Sequence, residues 1–321
     1  MIHRPRRNRR TESIRNLCQE TFLKPSNFIM PFFVLKGEHR KEENKNLPGL
    51  SKLSKEEILK EAELLHKRGV PGVLLFPGEC IKDEFGKEAL SPDGAVPQAI
   101  RLLKREIPSL CVMSDVALDP YTTHGHDGIV DPKGYVLNDA TIEILKKMSI
   151  VLAESGADFI APSDMMDGRV KCIRESLDMT GHSDVGILSY TAKYASSLYG
   201  PFRDTLGSKL QFGDKKTYQM NPANIKEAIR EALLDENEGA DALMIKPALF
   251  YLDVISKIKE ATNLPICAYH VSGEYAMIMA AHEKGYLNAD EVFLEALLSI
   301  KRAGADFMIS YALPRILHRL S

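Results

Sequence analysis

Gly156-Ala157-Asp158-Phe159-Ile160-Ala161, Gly239-Ala240-Asp241-Ala242-Leu243-Met244-Ile245 and Gly304-Ala305-Asp306-Phe307-Met308-Ile309 repeat one arrangement along a 321-residue chain. Each Gly-Ala-Asp triplet closes a helical pattern and opens a short run that is apolar on both faces. Glycine suits the left-handed residue that ends a helix, and an uninterrupted apolar run marks a strand buried on both sides in a parallel sheet. The helices ahead of these triplets carry start signals at Asn138, at Asn221 with Pro222, and at Asn288 with Glu291. Upstream, Ser54 and Glu57 read as a capping box, Ile58, Ala62 and Leu65 recur at helical spacing, and Gly69 precedes the apolar run Gly72–Phe76. Strand candidates fall at 28–34, 72–76, 110–115, 158–161, 185–190, 241–246, 265–269 and 306–311. Eight β/α units in one chain of this size predict a TIM (β/α)8 barrel. A doubly wound open sheet is the alternative; its nucleotide-binding form loses support because no Gly-x-Gly-x-x-Gly follows the first strand.

Composition narrows the function classes. With 44% apolar and 27% charged residues the chain reads as a folded globular protein, long enough to fold without a disulfide or structural metal. Basic and acidic residues nearly balance at 42 and 44, so no global charge argues for nucleic-acid or membrane binding. Cys18, Cys80, Cys111, Cys172 and Cys267 are scattered, with no Cys-x-x-Cys pair, which predicts free thiols in a reducing compartment rather than a zinc ribbon. No apolar run approaches the roughly 20 residues that span a bilayer, and the polar opening residues lack a signal-peptide core. A cytoplasmic enzyme is the expectation.

Two segments lie outside the repeat. Residues 1–20 are set apart from the barrel of 21–321 as an arm, with Arg4, Arg6, Arg7, Arg9, Arg10 and Arg15 clustered in it. The readings are a solvated tail, an arm that docks on another subunit, or a nucleic-acid tail, the last weakened by the absence of interleaved aromatics. The polar stretch around 197–220 is too long for an ordinary barrel loop and reads as a lid.

Barrel enzymes place chemistry where the strands end, which selects Asp115, Ser163, Asp164, Lys193, Lys246, Ser272 and Tyr311. Lysine is unusual there. Lys246 directly follows a buried run, and Lys193 is placed three residues beyond a strand ending at Tyr190. An amine beside a low-dielectric core has its pKa lowered, the more so with a second ammonium nearby, and the neutral amine is the form that attacks a ketone. The alternative is that each lysine reaches solvent or pairs with an acid. The loop from Asp115 to Gly128 packs Asp115, Asp119, Asp127, His124 and His126 together. Such oxygen donors suit a hard cation such as Mg²⁺ better than tetrahedral zinc; the other reading is a turn with side-chain caps.

At these residues the chain resembles the porphobilinogen synthase (5-aminolevulinate dehydratase) family. Tyr190-Thr-Ala-Lys193-Tyr-Ala-Ser-Ser-Leu-Tyr-Gly-Pro-Phe-Arg203-Asp204 is similar to the segment holding one of the family's lysines, and Met244-Ile245-Lys246-Pro247 with Tyr251-Leu252-Asp253 to the segment holding the other. Ala161-Pro-Ser-Asp-Met-Met-Asp-Gly-Arg169 and Tyr269-His-Val-Ser-Gly-Glu-Tyr-Ala-Met277 match two further stretches, and the likeness runs in order from the arm to about Tyr311. The resemblance implies a TIM barrel with an N-terminal arm, usually in a homo-octamer, that condenses two 5-aminolevulinate molecules to porphobilinogen with loss of two waters. It assigns Lys246 the imine with the substrate supplying the propionate side and Lys193 the other imine. Ser272 and Tyr311 would hold the first carboxylate, and Arg203, Lys215 and Gln219 the second. Asp115, Ser163 and Asp164 would serve the second substrate's amine or proton transfer. Lys215 stands where some relatives have arginine, a point charge in place of a bidentate fork.

The metal is where the chain departs from many relatives. Zinc-using members carry three cysteines where this sequence has Ala117, Asp119 and Asp127. The resemblance is therefore to the branch without catalytic zinc, and it implies Mg²⁺ as an allosteric ion on Glu231, with Asp119 and Asp127 as further candidate cation ligands and no organic cofactor. Three competitors stay open from sequence: a class I aldolase-like lyase using a single imine, a metal hydrolase built on His124 and His126, and a non-catalytic basic-armed scaffold.

Overall fold

The computed structural model describes residues 2–320; Met1 and Ser321, the outer bounds of the arm and barrel ranges, lie outside them. Ten strands are present: β1 (Phe28–Leu35), β2 (Lys41–Glu43), β3 (Ser51–Ser54), β4 (Gly72–Pro77), β5 (Cys111–Val116), β6 (Phe159–Pro162), β7 (Gly186–Lys193), β8 (Ala242–Lys246), β9 (Ile266–His270) and β10 (Phe307–Ser310). Eight of them run parallel in the order β1-β4-β5-β6-β7-β8-β9-β10, and β10 returns to β1 with Phe28 beside Met308 and Ile29 beside Ile309. That pairing closes a TIM barrel, and every strand of it overlaps a sequence candidate. The β2–β3 hairpin is an addition, laid along the end of β1 through Val34 and Leu53.

The helices are α1 (Glu12–Leu17), α2 (Lys55–Lys67), α3 (Ala95–Glu106), α4 (Asn138–Glu154), α5 (Arg169–Met179), α6 (Gly200–Leu206), α7 (Lys226–Asn237), α8 (Leu252–Ala261), α9 (Ser272–Glu283), α10 (Ala289–Ala303) and α11 (Leu313–Ile316). Among the described residues no helix is long and apolar enough to cross a membrane. The arm residues Pro5–Arg9 and α1 contain no buried side chain.

The Gly-Ala-Asp triplets are joints between layers. Gly156, Gly239 and Gly304 take φ of 101°, 99° and 123°, and the next amide in each case bonds back six residues' worth of turn, from Ala157 to Leu152, Ala240 to Asp235 and Ala305 to Ile300. These are Schellman closures. The alanines are buried, and the aspartates then act on the neighbouring strand. Asp158, Asp241 and Asp306 accept the amides of Val112, Ile187 and Ile266, each at 2.7 Å. Their own amides donate to the carbonyls of the same three residues. Each triplet therefore ends a helix and fixes the register of the strand that follows, a role the sequence reading assigned only to the glycine.

Three helix starts differ from expectation. Only Asn288 caps as read, accepting from Asp290 and Glu291. Ser54 precedes α2 but its hydroxyl accepts the Arg40 amide from the hairpin, and Glu57 pairs with Lys60, so no capping box forms. Asn138 is the first residue of α4 rather than its cap, and its side chain holds Asp167. Asn221 makes a local turn with Ala223, and the helix starts later, at Lys226. In each case a tertiary partner or a tighter turn takes the side chain first.

Asp241 has no lysine partner, unlike Asp158 and Asp306. Asp241→Ala is expected to lower unfolding free energy by about 1–3 kcal/mol, the scale of a charged hydrogen bond. The exposed Asp184→Ala should change it by less than about 0.5 kcal/mol. Urea titration of the two variants distinguishes a register pin from an ordinary surface aspartate.

Candidate active site

At the C-terminal rim β7 and β8 pair as Leu188 with Ala242 and Ser189 with Leu243, then as Ala192 with Ile245 and Lys193 with Lys246. Between these pairs β7 uses one residue more than β8, which is a bulge. The bulge carries β7 on past Tyr190 to Lys193, where the sequence reading had ended the strand early. It also brings Lys193 level with Lys246, so the two side chains emerge from adjacent strands on the same face.

Both lysines are covered, Lys193 at 6% and Lys246 at 4% relative exposure. The Lys246 ammonium position lies 4.7 Å from the ring centre of Tyr269, 4.8 Å from Phe202, 5.1 Å from Tyr190 and 5.3 Å from Tyr199. Ring faces favour a cation by about 0.5–2 kcal/mol. Desolvation, with the Lys193 charge beside it, outweighs that and the nearby Asp115, Asp119 and Asp127, and holds the amine down at about 7. Lys193 is held differently. Its Nζ donates to the Ser163 carbonyl and lies 3.5 Å from Asp127 Oδ2.

Asp127 sits between two ammoniums. Burial pushes its carboxyl up, but Lys193 and Lys215 outweigh burial and hold it well below the usual range. Lys215 Nζ donates to Asp127 Oδ1 at 2.7 Å and to Asp119 Oδ2 at 3.4 Å. Burial opposes that ammonium, and the two aspartates outweigh it and raise its pKa. At Asp119 burial wins and the carboxyl is raised. The Asp119–Asp127 pair, read from sequence as candidate cation ligands, thus has a protein ammonium between its oxygens. Among the described residues no group of three or more His, Cys, Asp or Glu side chains could hold a metal. His126 is committed to Tyr218 Oη and the Phe212 carbonyl, and His124 to the His126 amide and the Glu84 carbonyl, which leaves the metal-hydrolase reading without free ring nitrogens.

The remaining acids lie one and two strands away. Burial pushes the Asp115 carboxyl up to about 7 against Lys246 and Lys193, and the Asp164 carboxyl up to about 6 against Arg169. Asp164 accepts the Met166 amide at 2.7 Å across a turn in which Met165 takes φ of 67°, the left-handed region that non-glycine residues avoid. That turn aims the Ser163 carbonyl at Lys193. Among the described residues, buried Asp115 Oδ1 and Gln219 Oε1 have no hydrogen-bond partner. Leaving such atoms unpaired costs about 1–3 kcal/mol each, so a polar guest is their natural partner.

Residues 195–219 form a folded excursion over this rim. The Met220 amide donates to the Lys193 carbonyl and the Ala195 amide to the Met220 carbonyl, pinning both ends beside Lys193. From α6, Phe202 packs edge-on to Phe76 at 5.1 Å and against Phe33 at 5.7 Å. Ser272 Oγ accepts the Phe202 amide and donates to the Leu198 carbonyl, while Tyr311 Oη lies 2.8 Å from Tyr269 Oη. Arg203 lies over the Tyr199 ring at 5.6 Å and is partly exposed. The strand-end lysines, Asp115, Ser163, Asp119, Asp127, Lys215, Gln219, Ser272 and Tyr311 thus gather at one end of the barrel. Glu231 does not: it lies half-buried on α7, lining an outer cavity with Asn138, Asp167, Asn224 and Glu227.

Two features escaped the sequence reading. One is the aromatic enclosure of Lys246, although Tyr190 and Tyr269 occupy strand-end positions that could have drawn notice. The other is Arg169, fully buried, which reaches Asp164, Asp235, Ser189 and the Tyr190 carbonyl. Its only sequence signal was its place in Met-Met-Asp-Gly-Arg.

Comparison with known proteins agrees with this geometry. A family model described as delta-aminolevulinic acid dehydratase matches residues 2–319. The chain is 52% identical over 322 residues to the delta-aminolevulinic acid dehydratase of Chlamydia pneumoniae, covering 100% of this chain and 97% of that one. It is 48% identical to the Bradyrhizobium diazoefficiens enzyme of that name, covering 99% and 90%. A crystal structure of delta-aminolevulinic acid dehydratase (porphobilinogen synthase) from Toxoplasma gondii ME49, in complex with the reaction product porphobilinogen, superposes with a TM-score of 0.96 at 50% identity over 99% of this chain and 92% of that one. A barrel with paired strand-end lysines and full-length likeness of this kind leads to one conclusion: the chain belongs to the delta-aminolevulinic acid dehydratase (porphobilinogen synthase) family, a family of lyases.

Proposed function

We propose that this chain condenses two molecules of 5-aminolevulinate to porphobilinogen, releasing two waters, and that Lys246 and Lys193 each hold one substrate as an imine, a step toward tetrapyrroles. The observation that carries this reading is the register pairing of the two lysines under a closed cover. A Lys246 amine poised near neutrality can attack a ketone carbon; the carbinolamine then loses water once a proton reaches its hydroxyl. Asp115, raised by burial to about 7, can carry that proton at neutral pH. Ser272 and Tyr311 then take the carboxylate of the first substrate, and Arg203, Lys215 and Gln219 that of the second, with Ser163 and Asp164 near its amine. The excursion over the rim serves as a lid that excludes water from the imines. The single-imine aldolase reading explains neither the second lysine's alignment nor the acids around it.

The same reading extends to ions and assembly. Asp119 and Asp127 fit the Lys215 ammonium, and we assign them no metal. Burial pushes the Glu231 carboxyl up against the pull of Arg169, with Asp235, Asp167 and Glu227 adding to the rise. Mg²⁺ keeps several waters and needs only one or two protein oxygens, so Glu231 with one neighbouring carboxylate of the cavity would be enough to hold it. Bound there the ion would supply charge neutralisation at the outer cavity, away from the lysines. The exposed arginine arm, with Ile2 and Leu17 bare, suits packing against further copies of the chain in a homo-octamer. Five free cysteines and the unpaired thiols they supply favour a cytoplasmic setting.

Borohydride reduction in the presence of 5-aminolevulinate should leave substrate adducts on Lys246 and Lys193 by peptide mass analysis, and Lys246→Met should abolish turnover. Absence of adducts on both lysines in folded enzyme would sink the imine mechanism. For the ion, activity after chelation should rise on adding Mg²⁺, and Glu231→Gln should abolish that response. Rescue by zinc but not magnesium would contradict the assignment.

A further inference from the structure

Glu274 is fully buried and none of the roles above uses it. It is the third residue of α9, which begins at Ser272. Its Oε2 accepts the Val271 amide at 2.7 Å, closing a cap on its own helix. Its Oε1 leaves the helix and accepts the Leu249 amide at 2.6 Å, three residues beyond Lys246. One carboxylate therefore joins the loop that leaves β8 after Lys246 to the loop that leaves β9 before Ser272.

Capping alone does not account for this placement. A glutamate at the third helical position caps well from an exposed site, and taking a carboxylate out of water costs several kcal/mol unless bonds replace the water. Burial pushes this carboxyl up to about 7, with the amides of Val271, Leu249, Ala248 and Phe250 pulling the other way. The second set of bonds, to the Lys246 loop, is what the buried position adds. Among the described residues no other side chain bonds both loops. Tyr199 Oη reaches the Lys246 carbonyl, and Ser272 reaches Leu198 and Phe202, but each of these contacts runs through the 195–219 excursion rather than between strand ends.

We propose that Glu274 is a positioning residue whose carboxylate bridge sets Lys246 and Ser272 at a fixed separation, so that amine and hydroxyl engage one substrate molecule together. This rests on the reading of Lys246 as an imine-forming lysine. Lys193 lies on β7, outside the bridge, and its geometry comes from the bulge and Asp127. The two lysines should therefore respond differently to loss of the bridge.

The test is single-turnover borohydride trapping with 5-aminolevulinate on the full-length wild-type, Glu274→Gln and Glu274→Asp proteins, with adducts at each lysine measured separately. Glu274→Gln keeps one acceptor and turns an N–H donor toward an amide. Adduct formation at Lys246 should slow by about 10–100-fold, the scale of an ångström-level misplacement, while Lys193 keeps its wild-type rate. Glu274→Asp, with both acceptors on a shorter stem, should recover part of the loss. Equal trapping at Lys246 in Glu274→Gln, or equal slowing at both lysines, would overturn the proposal, the latter marking a merely structural role. If Glu274→Gln does not fold, Glu274→Asp decides by the same criterion: selective slowing at Lys246 supports the bridge and uniform slowing refutes it. Absence of any Lys246 adduct in the wild type would instead remove the imine reading and the bridge with it.

Discussion

Two lysines held side by side in a medium of low polarity, where burial and the neighbouring charge lower the pKa of one of them, is the interaction around which the rest of this molecule is arranged. A bulge in β7 brings Lys193 level with Lys246, and the neighbouring charges then divide the labour between them. Lys193 has Asp127 and the Ser163 carbonyl; Lys246 has four aromatic rings and, among the described residues, no carboxylate in hydrogen-bond contact. Desolvation, with the Lys193 charge beside it, lowers the pKa of the Lys246 amine, while Lys193 lies within ion-pair reach of Asp127. The asymmetry leaves the Lys246 amine poised near neutrality.

Maintaining that asymmetry takes a second ring of residues. Lys215 lies against Asp127 and Asp119, so Asp127 shares its charge between two ammoniums and does not neutralise either fully. Burial raises the Asp115 carboxyl to about 7, which weakens the negative charge it places beside Lys246 at neutral pH. Glu274 and the aspartates of the Gly-Ala-Asp joints act on the backbone, one at the rim that carries the chemistry and the others at the opposite end of the strands. Stability is thus concentrated at one end of the barrel and reactivity at the other, as expected when side chains at the strand ends must carry buried charge.

The barrel was legible because a parallel strand buried on both faces writes an apolar run, and glycine writes the helix end before it. Lysine directly after Ile245 stood out for the same reason, since a charge beside such a run must either reach solvent, find an acid or serve chemistry. The strand end at Lys193 was not, because a bulge changes register through backbone geometry that Tyr190-Thr191-Ala192 does not announce. The start signals at Ser54, Asn138 and Asn221 misled, since these short polar side chains found partners in Arg40, Asp167 and Ala223 instead of a helix end. Nor could spacing show that Lys215, nearly ninety residues from Asp127, would settle between the two aspartates proposed for a cation. Long-range electrostatic partners of this kind are set by the fold, and sequence proximity carries no trace of them.

Burial and Lys193 together bring the Lys246 pKa down to near physiological pH. Trace acylation of lysines across a pH series, with the extent at Lys246 read by peptide mass analysis, measures this directly, since only the free amine reacts and access cancels within one residue. The account predicts a midpoint near 7 for Lys246, well below the usual value of about 10.4, and an upward shift in Lys193→Met. A midpoint close to that of an ordinary lysine, or one that Lys193→Met leaves in place, would contradict it.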